Sequence, residues 1–153
     1  MNAIQTRTGT PIPFDPALKV EVLGPDDRFV QDETDTNNAS VVIQLTFGQV
    51  SFLFTGDAER PEEEAIVSGG DVRSTILKVG HHGSRSSTDD AWLQAVRPQI
   101  GVISAGKDNR YGHPHQEVLD ALNRFGVKIY RTDQSGTVTI TTDGATFTVA
   151  TDR

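Results

Sequence analysis

Short apolar segments alternate with helical patterns through the middle of the chain, and this order constrains the fold more than any other feature. Helical periodicity lies at residues 61–67, 89–96 and 115–126. Strand patterns lie at residues 19–25, 40–46, 49–54, 74–80, 100–106 and 127–132, and a final hairpin spans residues 136–151. Strands that alternate with helices predict an α/β fold with a mixed β-sheet.

Local patterns add detail to this outline. The dipeptide Phe47-Gly48 is predicted to form the turn between the second and third strands, and the nearly all-apolar residues 50–54 are predicted to be buried on both faces. The polar, acidic residues 26–38 predict a loop. Ser87 or Thr88 is the predicted N-cap of the second helix, which begins with two acidic residues.

The length of 153 residues corresponds to one domain. Residues 1–18 show no periodicity and contain three prolines, which predicts an extended lead-in, and residues 19–153 are predicted to form one folded unit. No run of 18 apolar residues is present, so no membrane segment is predicted, and the first residues lack the apolar region of a signal peptide.

Charge and cysteine content limit the possible functions. A net charge of −7 argues against a non-specific nucleic-acid binder. The absence of cysteine excludes disulfides, thiolate metal sites and a cysteine nucleophile, so any metal ion would be held by His, Asp or Glu. Only the middle of the chain has more basic than acidic side chains, and all four histidines lie there.

Three glycine-containing polar loops, each directly after an apolar strand, hold a carboxylate and every histidine. They lie at residues 54–57, 78–84 and 109–115. Functional groups of open α/β sheets favour the carboxyl ends of strands. Histidine nitrogen and aspartate oxygen are the usual ligands of a catalytic zinc or manganese ion without cysteine. Hydroxyl and guanidinium groups at the end of the second loop and just after it could bind a phosphate; these are Ser84, Arg85, Ser86 and Ser87.

Each of these residues also has a purely structural interpretation. Asp57 or His113 could cap the helix that follows it, and the pair His81-His82 could simply form a turn. Taken singly, the structural interpretation is favoured for each residue. The presence of all of them in three comparable loops favours a functional site.

Three longer runs closely resemble the metallo-β-lactamase-like domain of ComEC-type competence proteins and the related standalone hydrolases. They are NNASVVIQLTFGQVSFLFTGDAE, LKVGHHGSRSST and VISAGKDNRYGHPHQEVLDALNRFGVKIYRTDQSGTVTI, and the resemblance covers about residues 19–141. The combination of TGD, HHGS and YGHP is more specific than any one motif. The resemblance implies an αββα sandwich with a mixed sheet, helices on one face, and divalent metal ions.

The same resemblance implies roles for individual residues. Asp57 matches the aspartate that bridges two zinc or manganese ions, and His81 or His82 matches a terminal ligand. His113 of YGHP would line the site, which makes Asp57, His82 and His113 the candidate catalytic residues. The implied reaction is attack of metal-activated water on a phosphodiester, with a nuclease role in DNA uptake. Candidate substrate or anion contacts are Ser84, Arg85, Asn109 and Tyr111.

The chain also departs from the family pattern. The H-x-H-x-D-H metal motif is absent, since no histidine precedes His81, and Thr36, followed by Asn37-Asn38, stands where another histidine is expected. The sequence therefore corresponds to the C-terminal half of the domain, with two or three metal ligands. Completion of the site would need the N-terminal half or a second copy in a homodimer, which would also cover exposed apolar strands.

Two functions follow. The first is a metal-dependent phosphodiesterase that acts on nucleic acid or another phosphodiester once the site is complete. The alternative is a catalytically inactive truncated domain that serves folding, dimerisation or partner binding. A soluble cytoplasmic protein is expected if Met1 is the native start, and a location outside the cytoplasm if the chain derives from a membrane-bound competence protein.

Overall fold

The computed structural model describes residues 6–31, 34 and 36–153. Its eight strands are β1 Lys19–Gly24, β2 Val42–Phe47, β3 Val50–Phe54, β4 Ile76–Lys78, β5 Ile100–Ile103, β6 Lys128–Arg131, β7 Val138–Thr142 and β8 Phe147–Thr151. Its α-helices are α1 Asp27–Val30, α2 Arg60–Gly69, α3 Asp90–Val96, α4 Gln116–Arg124 and α5 Thr132–Ser135. A 3₁₀ turn at Gly80–Gly83, here called the histidine turn, follows β4.

Six strands form one mixed sheet in the order β1-β2-β3-β4-β5-β6, and β7 and β8 form a separate hairpin. The pairs β1–β2 and β2–β3 are antiparallel, whereas β3 to β6 run parallel. Each parallel step is connected through one of the helices α2, α3 and α4. The predicted α/β fold with a mixed sheet is confirmed.

The main core lies between the sheet and these helices. Leu53, Leu77 and Ile103 point from successive strands into this core, where Trp92 and Leu122 of the helices are also buried. Burial of each such side chain contributes about 1.5–3 kcal/mol relative to its exposure. Because β3, β4 and β5 run parallel, their carboxyl ends lie side by side at the same end of the sheet, where α/β proteins usually bind ligands.

The opposite face of the sheet is covered only in part. Side chains of the β7–β8 hairpin pack against a second small core around Val50, Ile76 and Ile100. Phe54 of β3 is 42% exposed, so the prediction that this strand is buried on both faces is wrong. Phe52 packs into this second core, whereas Phe54, at the end of the strand, does not.

The tight turn between β2 and β3 is Gly48-Gln49, one residue later than predicted, because Phe47 pairs with Val50. Gly48 takes a φ of 59°, which a two-residue hairpin turn requires and glycine adopts at low cost. The Gln49 amide donates to the carbonyl oxygen of Gly144, at 2.6 Å. This hydrogen bond links the turn to the β7–β8 hairpin.

Some local predictions differ from the structure. The predicted loop 26–38 contains the one-turn helix α1, whose N-cap Asp26 accepts a hydrogen bond from the amide of Arg28. The N-cap of α3 is Asp89, not Ser87 or Thr88, because its carboxylate reaches the amide of Trp92 at 3.0 Å.

Parts of two predicted segments cannot be compared with the structure. Residues 32, 33 and 35 of the predicted loop lie outside the described residues. So do residues 1–5 of the predicted lead-in, whose remaining residues form neither helix nor strand. Across the described ranges, no helix combines the length and apolar character that a bilayer crossing requires.

Candidate functional site

The carboxyl ends of β3 and β4 and the loop after β5 bring all four histidines together beside Asp57. The ring centroids of His81 and His113 are 5.6 Å apart, those of His82 and His113 are 6.4 Å apart, and those of His113 and His115 are 4.8 Å apart. We call these four histidines with Asp57 the histidine cluster. The three polar loops identified in the sequence therefore form one site.

Asp57 lies in the turn after β3, where its backbone amide donates to Ser40 Oγ at 3.0 Å. The N-cap of α2 is Glu59, so Asp57 does not cap that helix. Lys78, at the end of β4, donates from Nζ to the carbonyl oxygen of Gly56 at 3.1 Å. Burial lowers the pKa of the Lys78 amine, and the nearby Asp57 carboxylate opposes that shift.

The backbone of the histidine turn holds both histidines at its surface. His81 and His82 have φ values of 44° and 55°, a left-handed region that is uncommon outside glycine. The turn is anchored because the His81 amide donates to Gly56 O at 3.2 Å and the His115 amide donates to Gly83 O at 2.9 Å. Uncommon backbone geometry of this kind often occurs at functional sites.

The two ring nitrogens of His82 have different surroundings. Nδ1 lies 2.6 Å from the carbonyl oxygen of Ser104, which favours the tautomer with hydrogen on Nδ1. Nε2 lies 3.5 Å from Oδ1 of Asp57. The lone pair of Nε2 and the Asp57 carboxylate therefore face the same small region. The side chains of His82 and Asp57 are each 44% exposed.

His81 is held instead by Glu59, which was not recognised from the sequence. Nδ1 of His81 lies 2.9 Å from Glu59 Oε1. The same oxygen accepts hydrogen bonds from Ser86 Oγ at 2.9 Å and from Asn37 Nδ2 at 3.2 Å. A carboxylate that orients a histidine through Nδ1 is typical of the surroundings of metal-binding histidines. In the sequence, the position of Glu59 two residues after Asp57 was the only available sign of its role.

The loop between β5 and α4 positions His113. Asn109 Oδ1 accepts from the His113 amide at 2.9 Å, and Asn109 Nδ2 donates to the His113 carbonyl oxygen at 2.7 Å. Burial lowers the pKa of His113, as do the neighbouring His115, His81 and His82, whereas Asp57 raises it. The N-cap of α4 is His115, so His113 does not cap that helix.

The serine-rich loop after the histidine turn is fixed mainly by its own hydroxyl groups. Ser84 Oγ lies 2.9 Å from Ser86 Oγ, and Ser87 Oγ donates to Gly80 O at 3.0 Å. The backbone amide of Arg85 donates to His115 Nδ1 at 3.0 Å, and its guanidinium lies 3.6 Å from Glu117. Ser84 and Ser87 are buried, whereas Arg85 is exposed next to the histidine cluster.

A family model described as the metallo-beta-lactamase superfamily matches residues 7–107 of the chain. The chain belongs to the metallo-β-lactamase superfamily. Among curated proteins it is similar to ComE operon protein 3 of Bacillus subtilis, at 41% identity over 79% of this chain and 15% of that protein. Competence protein ComA of Neisseria gonorrhoeae is 38% identical over 76% of this chain and 17% of that protein.

A third similar protein is Recombination protein 2 of Haemophilus influenzae, at 35% identity over 80% of this chain and 15% of that protein. The chain thus spans about a sixth of the length of these relatives. A crystal structure from Parabacteroides distasonis, described as a metal-dependent hydrolase, has a TM-score of 0.52 and 17% identity, over 84% of this chain and 56% of that chain. That likeness supports the metallo-β-lactamase fold, and the predicted resemblance to competence proteins is confirmed.

Members of the metallo-β-lactamase superfamily generally bind divalent metal ions. In the part of the chain that the structure describes, no group of three or more His, Asp or Glu side chains is arranged to hold one. Asp57 and His82 have suitable donor atoms that face each other, but a catalytic zinc ion takes three protein ligands. The donor chemistry therefore fits a metal ion, and this pair supplies part of a complete set.

Proposed function

We propose that this superfamily domain takes part in metal-dependent hydrolysis of phosphodiesters. The observation that carries the proposal is the 3.5 Å approach of His82 Nε2 to Asp57 Oδ1, with His82 Nδ1 held by the Ser104 carbonyl. A histidine fixed through one nitrogen, with the other facing a carboxylate, has the arrangement of a metal ligand. The bound ion proposed here is zinc or manganese.

The proposed roles follow from the surroundings of each residue. Asp57 and His82 hold the ion, and His81, oriented by Glu59, is the next candidate ligand. A bound divalent cation supplies Lewis-acid stabilisation of charge on the phosphate and lowers the pKa of water. Burial and the neighbouring histidines lower the pKa of His113, which favours the neutral imidazole, and a neutral imidazole can accept a proton.

Substrate contacts are proposed for residues around the histidine cluster. Arg85 is exposed and can pair with a phosphate oxygen, because its distance of 3.6 Å from Glu117 is a weak ion pair. Ser84 and Asn109 are predicted anion contacts, although their side chains also hold the loops together. The proposed substrate is a nucleic acid, in keeping with the similarity to competence proteins.

The proposed site needs ligands beyond the pair Asp57 and His82. We propose that they come from polypeptide on the other face of the sheet, where Phe54 is exposed. That polypeptide is either an N-terminal half of the domain, for which the longer relatives have room, or a second copy of this chain in a homodimer. Both would cover the same apolar surface.

The test measures metal content, metal affinity and hydrolysis of bis(p-nitrophenyl) phosphate on the purified chain, with zinc and manganese. Asp57→Ala should abolish metal-dependent hydrolysis, because it removes the central carboxylate. Asp71→Ala is the control, since Asp71 precedes β4 and lies at the opposite end of the sheet. Unchanged turnover of Asp57→Ala would contradict the assignment of Asp57, and failure to bind either ion in excess would contradict the proposed function for this chain.

A further inference from the structure

The most exposed aromatic side chain near the histidine cluster is Tyr111, at 63% of its full exposure. Its ring is stacked against His113, with centroids 5.8 Å apart and an interplanar angle of 23°. The Arg110 guanidinium lies 5.0 Å from the Tyr111 ring centroid, and its Nη2 donates to the tyrosine hydroxyl at 2.8 Å. Three flat groups, those of His113, Tyr111 and Arg110, thus extend outward from the site.

The backbone beside Tyr111 is anchored on both sides. Asn109 donates to the carbonyl oxygens of both Gly106 and His113, at 2.9 and 2.7 Å, and accepts from the His113 amide. This closes the loop into a compact turn that carries Tyr111 at its tip. An exposed ring held in one place loses little conformational entropy when a flat ligand stacks on it.

The surroundings of this ring favour an aromatic ligand that also carries negative charge. Arg110 lies against the ring, and Lys107 is exposed on the same loop. The base of a nucleotide is flat, and its phosphate is anionic. Stacking of bases on aromatic side chains, combined with basic residues along the backbone, is the usual way in which proteins bind single-stranded nucleic acids.

We propose that Tyr111, whose ring lies beside the His113 ring and the Arg110 guanidinium, is a stacking platform for one unpaired base of a single-stranded nucleic acid. This deepens the proposed function, because it names the substrate class of that site. His113 links the platform to the cluster, its ring centroid lying 6.4 Å from that of His82. Successive nucleotides of a strand are about 3.4 Å apart, so a strand whose base stacks on Tyr111 would have a nearby phosphate within reach of the cluster.

The experiment measures binding, without turnover, of a short fluorescent DNA oligonucleotide to the full chain in EDTA by fluorescence anisotropy. An abasic oligonucleotide of equal length keeps the phosphates and removes the bases. Stacking of one base should make the normal oligonucleotide bind about tenfold more tightly than the abasic one. The same pair of oligonucleotides made of RNA shows whether the base comes from RNA or from DNA. Base-dependent binding of the RNA or of the DNA supports the platform.

Variants identify the ring responsible. Tyr111→Leu should remove the preference for bases, and Tyr111→Phe should keep it because the ring remains. Tyr130→Leu is the matched control, since Tyr130 is the other tyrosine, has Lys128 Nζ 5.1 Å from its ring centroid, and lies on β6 under the hairpin. It should retain the preference, and melting curves of all variants check that each is folded.

The outcomes separate this inference from the proposed function. Equal affinity for normal and abasic strands, including no measurable binding of either, would overturn the platform. So would an unchanged preference in Tyr111→Leu, or equally tight binding of a blunt duplex. Base-dependent binding that requires Tyr111, without metal-dependent hydrolysis of bis(p-nitrophenyl) phosphate, would support the platform and contradict only the hydrolysis proposed for this chain.

Discussion

Nε2 of His82 lies 3.5 Å from Oδ1 of Asp57, although the two residues follow different strands. The parallel register of β3 and β4 explains this approach, because Phe54 pairs with Lys78 at the ends of the strands. Asp57 and His82 lie a few residues beyond these partners. The contact is thus a direct consequence of the sheet topology, and the left-handed backbone of the histidine turn directs the ring toward Asp57.

The first prediction concerns the two adjacent histidines. His82→Ala should weaken zinc or manganese binding by about 100-fold or more, because it removes the nitrogen that faces Asp57. His81→Ala should weaken it less, by about 10- to 100-fold, because the His81 ring is held by Glu59 and does not face Asp57. Isothermal titration calorimetry with each ion measures both affinities. Equal, mild losses in the two variants would show that neither histidine binds the metal.

The second prediction concerns the contact between the histidine turn and the loop that carries His113. Gly83 has a φ of 82°, and an added Cβ would lie 2.6 Å from Pro114 Cβ. Gly83→Ala should therefore lower the free energy of unfolding by about 2–4 kcal/mol through backbone strain and overpacking together. It should also weaken metal binding, because the two loops move apart.

The control for this variant is Gly126→Ala. Gly126 has a similar φ of 70°, but an added Cβ would meet nothing within 4 Å. Gly126→Ala should lower the free energy of unfolding by only about 1–2 kcal/mol, through backbone strain, and should leave metal affinity unchanged. Urea unfolding gives both free energies, and equal losses in the two variants would show that the contact with Pro114 contributes nothing.

The sequence predicted the order of the strands and of α2, α3 and α4, because β3, β4 and β5 are each followed by a helix with an apolar face. The one-turn helices α1 and α5 were missed, because four residues show no helical periodicity and neither helix has a buried residue. The orientation of the His81 and His82 rings could not be predicted, since it depends on two left-handed residues in one turn. Glu59 was missed because its contact with His81 is made only when the two loops meet. The exposure of Phe54 was missed because hydrophobicity alone does not show what covers a strand.

The third prediction concerns Glu63, a buried carboxyl group in α2. Burial raises the pKa of Glu63 from 4.5 to about 8, although both carboxyl oxygens lie 2.9 Å from the amide of Thr88. Between these pH values the folded chain holds a proton that the unfolded chain has lost. The contribution of Glu63 to the free energy of unfolding should therefore fall as pH rises from about 4.5 to 8.

Glu63→Gln should abolish most of that decline, because the amide does not titrate and keeps an acceptor oxygen for Thr88. One pKa unit corresponds to about 1.4 kcal/mol, so at pH 8 the free energy of unfolding of the variant should exceed that of the wild type by a few kcal/mol. Urea unfolding at pH 5 and pH 8 measures the difference. Glu64→Gln, on the exposed side of the same helix, is the control. A decline equally steep in Glu63→Gln and the wild type would rule out Glu63 as its source.

The fourth prediction concerns the uncovered part of the sheet. Phe54 is 42% exposed and stacks on Phe52, with ring centroids 6.2 Å apart. If a second copy of the chain covers this face, sedimentation should show a dimer for the wild type and a monomer for Phe54→Glu, because the dimer would bury an unpaired carboxylate. Phe125→Glu is the matched control, since Phe125 is 39% exposed and follows α4 on the helical side of the sheet. A wild-type chain that is folded and strictly monomeric would contradict the homodimer, and an N-terminal half of the domain would then be the proposed source of the remaining metal ligands.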